Sequence, residues 1–181
     1  MRAKGFVIAA FALAACDSQN APSPAERPDD RTGVSDQAVP SGVTLGSDSL
    51  SVGGEAFYFA AGQTEVEAAL ARLLGKASDS GEMAECGAGP MWSSTYAGGL
   101  TVNFQNGALA GWLLDEQGGE TALENGIAIG APRAEVERMS GFAMIEDSAL
   151  GEEFVVGDEL AGFFEDGKVS MLYSGLQCFF R

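Results

Sequence analysis

The 181-residue chain contains no histidine. That removes Ser-His and Cys-His nucleophile pairs and the commonest metal ligand. What is left for chemistry is three cysteines, Cys16, Cys86 and Cys178, and 26 acidic residues. The acids fall in adjacent pairs at Glu146-Asp147, Glu152-Glu153, Asp158-Glu159 and Glu165-Asp166. Two carboxyls can hydrolyse a glycosidic bond when a cleft holds them about 5 to 9.5 Å apart. Adjacent carboxylates on loops are ordinarily solvated, and none of these lies on a clear apolar strand pattern. G-x-S-x-G, S-x-x-K, P-loop, dinucleotide and EF-hand patterns are all missing. The sequence therefore offers no catalytic residue, no metal site and no cofactor, and a hydrolase using carboxylates alone is the alternative reading of function.

Cys16 has a different setting. Arg2 and Lys4 precede an apolar stretch, Gly5 to Ala14, that ends in Leu13-Ala14-Ala15-Cys16. The stretch is shorter than the roughly 20 residues needed to span a bilayer. The order of basic residues, short apolar run, Leu, two small residues and Cys resembles the lipobox of bacterial lipoproteins. The resemblance implies cleavage before Cys16, acylation of that residue, and anchorage of residues 17 onward to a membrane, since two or more acyl chains hold stably where one does not. The alternative is an ordinary export signal in which Cys16 is incidental. Asp17 follows; in some bacteria an Asp there marks retention in the inner membrane, which leaves inner and outer membrane open. Either way the chain is expected in the cell envelope, facing the periplasm.

An exported chain meets an oxidising compartment. With Cys16 acylated, Cys86 and Cys178 remain, and two such cysteines most simply form one disulfide. The alternative is two free thiols. No C-x-x-C and no basic neighbour marks either as a redox centre, and Glu85 beside Cys86 disfavours a thiolate.

Residues 17 to about 41 are rich in Ser, Asn, Asp and Gln, with Pro22, Pro24, Pro28 and Pro40 spread among them. Such a composition cannot bury enough surface to offset chain entropy, so it reads as a semi-extended tether. The net charge of -16 argues against nucleic-acid binding, which needs clustered Lys and Arg, and against a polybasic membrane patch. It suits a basic protein partner.

Residues 42 to 181 are the expected globular domain, and a repeat organises it. One copy covers about 56–114 and the other about 127–175. Each reads as a short strand, a helix opened by Glu-Val (Glu65-Val66, Glu135-Val136), and a hairpin closed at Asn106-Gly107 or Asp166-Gly167. Thr64 and Glu67 have the spacing of a capping box, and Val66, Ala69, Leu70, Leu73 and Leu74 form a buried stripe. Pro132 suits the opening of a second, shorter helix ended by Gly141. Two-residue turns set the register. Phe104 then opposes Leu109, Val102 opposes Gly111, Phe164 opposes Val169, and Glu165 opposes Lys168. Asp115 to Asn125 reads as a polar connector between copies. The fold expected is α+β: two tandem βαββ repeats, an antiparallel sheet, and one helix per repeat packed on one face.

Gly130, Val136 and Gly141, in a chain with a lipoprotein-like start, resemble the helix motif of the SmpA/OmlA-type lipoproteins of outer-membrane β-barrel assembly. Pro132 and Ser140 depart from that motif, and Ala60 stands where the first copy should have Gly. Tandem βαββ units are also similar to the β-lactamase inhibitor protein. Both resemblances imply a non-enzymatic, protein-binding or structural module, and neither implies a particular partner. The register places Trp112 and Phe163 on the sheet face away from the helices, with Thr101, Asn103 and Ser170 around them. Aromatic anchors among small polar residues are typical of a protein-binding patch, although the two rings could instead pack between the repeats.

Overall fold

A computed structural model describes residues 42–115 and 121–179. The signal segment, Cys16 and the tether lie outside the described residues.

The repeat is real in the backbone, but its unit is larger than a helix and a hairpin. In the first copy, helix α1 (Gln63–Leu74) leads into a four-strand meander, β4 (Asp79–Met83), β5 (Met91–Tyr96), β6 (Leu100–Gln105) and β7 (Ala108–Leu114). In the second, helix α2 (Arg133–Val136) leads into β9 (Phe142–Met144), β10 (Glu152–Val156), β11 (Leu160–Glu165) and β12 (Lys168–Gly175). The meanders join at β7 and β12 into one eight-stranded antiparallel sheet, ordered β4-β5-β6-β7-β12-β11-β10-β9. The chain before α1 makes β1 (Val43–Leu45), β2 (Ser49–Val52) and β3 (Glu55–Tyr58). These form a second sheet, ordered β3-β2-β1-β8, in which β8 (Thr121–Leu123) runs parallel to β1.

The expected α+β fold with a helix per repeat is therefore corrected. The described residues hold twelve strands and two helices, and α2 is a single turn of 4 residues. The missed strands had masked signals. β4 is Asp-Ser-Gly-Glu-Met and mostly exposed, and β10 opens with two glutamates. β8 sits inside the segment that reads as a connector. The capping box does not form either. Gly62 is the N-cap of α1, without a side-chain cap bond, and Glu67 turns to the sheet, accepting from Ser94 Oγ at 2.7 Å.

Matching hydrogen bonds dock each copy's entry loop on its own hairpin. Ala60 N donates to Leu109 O at 2.8 Å, and Leu109 N to Ala61 O at 2.8 Å; Gly130 N donates to Val169 O at 2.7 Å, and Val169 N to Ala131 O at 2.9 Å. Ala60 and Gly130 both have positive φ, 78° and 83°. The missing first glycine is thus an alanine held in the conformation that Gly adopts freely. Asn106-Gly107 and Asp166-Gly167 all have positive φ, as a type I′ turn requires. The predicted pairs Phe104–Leu109, Phe164–Val169 and Glu165–Lys168 are present.

Beyond those pairs, both hairpins bulge at the same place. Asn103 pairs with Gly111 while Phe104 pairs with Leu109, which leaves Ala110 as an extra residue. Phe163 pairs with Met171 while Phe164 pairs with Val169, which leaves Ser170 extra. One inserted residue reverses the facing of everything after it. Val102 therefore opposes Trp112, not Gly111. Trp112 and Leu172 turn into the core, and Leu113, Met171 and Tyr173 turn away from it.

The core lies between the large sheet, the small sheet and the helices. Leu45, Leu50, Leu70, Leu100, Trp112, Phe154 and Leu172 are among its most buried members, and it is continuous across both copies. The β1–β2 turn caps the seam between copies. Trp112 Nε1 donates to Gly46 O at 2.9 Å, and Ser174 Oγ donates to Ser47 O.

Candidate functional site

The five residues expected on a binding face separate. Trp112 is not on that face. The Ala110 bulge turns it inward, where it is completely buried and bonded to the small sheet. Thr101 and Asn103 are on the far side of the large sheet. The Thr101 and Thr95 hydroxyls share a bond of 3.0 Å. Asn103 is buried, because the C-terminal segment after β12 folds back over it. Asn103 Nδ2 donates to Leu176 O at 3.2 Å and to Gln177 Oε1 at 2.9 Å. Phe163 and Ser170 meet at the second bulge, where Ser170 Oγ donates to Phe163 O at 3.2 Å.

Phe163 is half-buried within an aromatic cluster. It stacks on Tyr173, with centroids 5.7 Å apart, and meets the edge of Phe179 at 5.7 Å. Tyr173 meets Phe179 at 5.0 Å. Beside the cluster is an open groove of about 530 Å³, walled by Leu150, Phe163, Met171 and Phe179, with Glu152 and Glu165 on its lining. Each of these carboxylates has a cation of the same chain nearby. Arg133 Nη1 donates to Glu152 Oε1 at 2.6 Å, and Lys168 lies opposite Glu165 in the hairpin. Arg133 also sits over the Phe164 ring, 5.1 Å from its centre. The Arg133–Glu152 bond ties the groove's edge to α2.

Behind the cluster is a carboxylate that the sequence led one to expect in solvent. Glu153 is fully buried on the far face of β10. It accepts from the Tyr173 hydroxyl and from Ser148 Oγ at 2.5 Å. Ser148 Oγ also accepts from Leu150 N at 3.2 Å, so the carboxylate organises the loop that supplies Leu150 to the groove. The available signal was parity. Glu153 and Val155 alternate with Phe154 and Val156, a strand pattern with one acid on a buried face. Burying a polar group is tolerated when hydrogen bonds satisfy it. Glu152 and Glu153 point to opposite faces of β10, so this pair does not converge on one cleft. Among the described residues, no group of three or more Cys, Asp or Glu is placed to hold a metal ion.

The first copy has the corresponding groove in reduced form. Trp92 pairs with Phe104 as Glu152 pairs with Phe164. The space there is about 250 Å³, lined by Pro90, Met91, Trp92 and Phe104. The Trp92 indole occupies the position that a short acid holds in the second copy, and its Nε1 donates to Ser94 Oγ at 3.1 Å. Beside it, burial and then Glu67 push the Tyr96 phenol up to about 12.

Cys86 and Cys178 come together over the far face of the large sheet. Both are free thiols, Cys86 buried and Cys178 half-buried, and they share a hydrogen bond.

No protein-family model, no curated protein and no solved structure matches the chain.

Proposed function

We propose that the chain is a membrane-anchored envelope lipoprotein whose folded domain acts without catalysis, as a protein-binding module. The observation that carries this reading is the groove at the second bulge. It joins a large apolar wall to carboxylates on its lining, and the first copy keeps only a smaller version lined by Trp92. The occupant that suits it is an apolar side chain of another protein, flanked by a basic residue. Phe163 and Phe179 supply contact area, and Glu165 and Glu152 supply acceptors. Each carboxylate is partly offset by Lys168 or Arg133. The longer-range attraction therefore comes from the acid excess of the whole chain, which speeds encounter with a basic partner. Anchorage rests on Leu13-Ala14-Ala15-Cys16. Among the described residues, no helix is long and apolar enough to cross a membrane.

The test places a photoreactive residue at Met171, in the groove, and in a second variant at Glu55, on the exposed part of β3. Irradiated cells should give a discrete protein adduct from Met171 and none from Glu55, and the Met171 adduct should weaken as salt screens the attraction. Identical adducts from both positions, or none from Met171, overturn the binding reading. In the same cells Cys16→Ala should leave the membrane fraction; retention there overturns the anchor.

A further inference from the structure

Two pieces of chain remote in sequence cross the far face of the large sheet. The β4–β5 loop is held by Gln105, whose Nε2 donates to Ala88 O at 2.8 Å. Two residues back on β6, and so on the same face, Asn103 holds the C-terminal segment at Leu176 and Gln177. Gln177 Nε2 in turn donates to Trp112 O at 2.9 Å and to Ser174 O at 2.8 Å. The segment can lie this close because Gly175, at φ 70°, turns the chain, and because Gly111 has no side chain: a Cβ there would be 2.5 Å from Leu176 O. Neighbouring anchors on one strand thus bring together Cys86, two residues before Ala88, and Cys178, one residue after Gln177. Phe179, the next residue, walls the groove.

We propose that Cys86 and Cys178 are a redox clamp: their oxidation to a disulfide fixes the C-terminal segment across the sheet and so fixes Phe179 as a wall of the groove. The oxidant is a second disulfide, either of a protein thiol oxidant or of a small thiol such as glutathione. One protein thiolate attacks a sulfur of that disulfide and expels a thiolate. The other protein thiolate then attacks the mixed disulfide and expels the second. One Sγ–Sγ bond forms, the two protons of the protein thiols pass to the two expelled thiolates, and the two electrons reside on the incoming disulfide, now two thiols. Burial, with the neighbouring Cys86, pushes the Cys178 thiol up to about 11, so exchange is favoured by mildly alkaline solution. The clamp is independent of any partner.

The test uses the full chain, reduced and then treated with oxidised glutathione at mildly alkaline pH. After denaturation without reductant, neither Cys86 nor Cys178 should accept a maleimide, and proteolysis should give one peptide pair joined through them. In the native oxidised protein, amide exchange at residues 176–179 should be slower than in the reduced protein by roughly tenfold or more. Cys178→Ala and Cys86→Ala should each keep the reduced rate under both conditions. Two labelled thiols after oxidation, or disulfide-linked dimers in place of the internal bond, overturn the proposal. So does an internal bond that leaves the exchange of 176–179 unchanged, since the segment would then be fixed without it.

Discussion

At the scale of single residues, Trp112 shows most clearly what one position does. It is a core strut, joined to the small sheet through Gly46 O. Trp112→Ala removes the largest fully buried side chain among the described residues, and the expected loss is about 3 to 5 kcal/mol. Trp112→Phe keeps most of the apolar volume but orphans the Gly46 carbonyl, at a cost of roughly 1 to 3 kcal/mol. Urea denaturation of the three proteins checks this order, and equal stability of Trp112→Ala and the parent would disprove the placement. Tyr96 gives a pH dependence. Its phenol is raised from 10.0 to about 12 by burial and by Glu67. The protonated form is favoured in the folded chain, so its contribution is fully present below pH 10. Between pH 10 and 12 the unfolded chain gives up the proton and the folded chain keeps it, and stability falls as pH rises. Tyr96→Phe keeps the ring and has no proton to lose. Its urea midpoint should fall less than the parent's between pH 9 and 11, and parallel falls would remove Tyr96 as a cause.

At the scale of elements, what was legible is local and what was hidden is pairing. The Asn-Gly and Asp-Gly turns and the first pairs beside them follow from side-chain type, because only a few residues accept positive φ at both turn positions. The repeat was legible for the same reason. Ala110 and Ser170 carry no such mark. Each is an ordinary strand residue that the ladder skips, and alternation read through it assigns Trp112, Leu113, Met171, Leu172 and Tyr173 to the wrong sides. The candidate site suffered most from this. Phe163 and Ser170 precede or form the bulge and do line the groove, while Trp112, two residues past the extra Ala110, does not. Edge strands were hidden for a different reason. β4 is paired on one side only, so little burial disciplines its sequence. β8 depends on β1, far away in the chain, and no local pattern encodes a partner. The cover formed by Leu176 to Phe179 could not be read from periodicity, since it is held by Asn103 and Gln177 side chains and by the absence of a Cβ at Gly111.

At the scale of the whole molecule, the two copies do not stand as separate cores. The small sheet draws β1 to β3 from before the first copy and β8 from between the copies. Its β1–β2 turn bonds Trp112 of one copy and Ser174 of the other. The apolar cluster runs without a break from Val66 and Leu70 to Phe154 and Phe164. A domain built this way should unfold as one unit. The chain offers a clean test, because both tryptophans, Trp92 and Trp112, are in the first copy. Indole fluorescence therefore reports that copy alone, while far-ultraviolet circular dichroism reports both. Phe154 is fully buried in the second copy and stacks on Phe164 with centroids 4.3 Å apart. Phe154→Ala opens a cavity there, with an expected loss of about 3 to 5 kcal/mol. In a single cooperative unit the mutation lowers the fluorescence midpoint as far as the dichroism midpoint, although no tryptophan is in the copy it damages. In two independent units the fluorescence transition stays where it was in the parent while the dichroism splits into two steps. That second result would mean that the β7–β12 seam and the shared small sheet contribute too little to couple the copies.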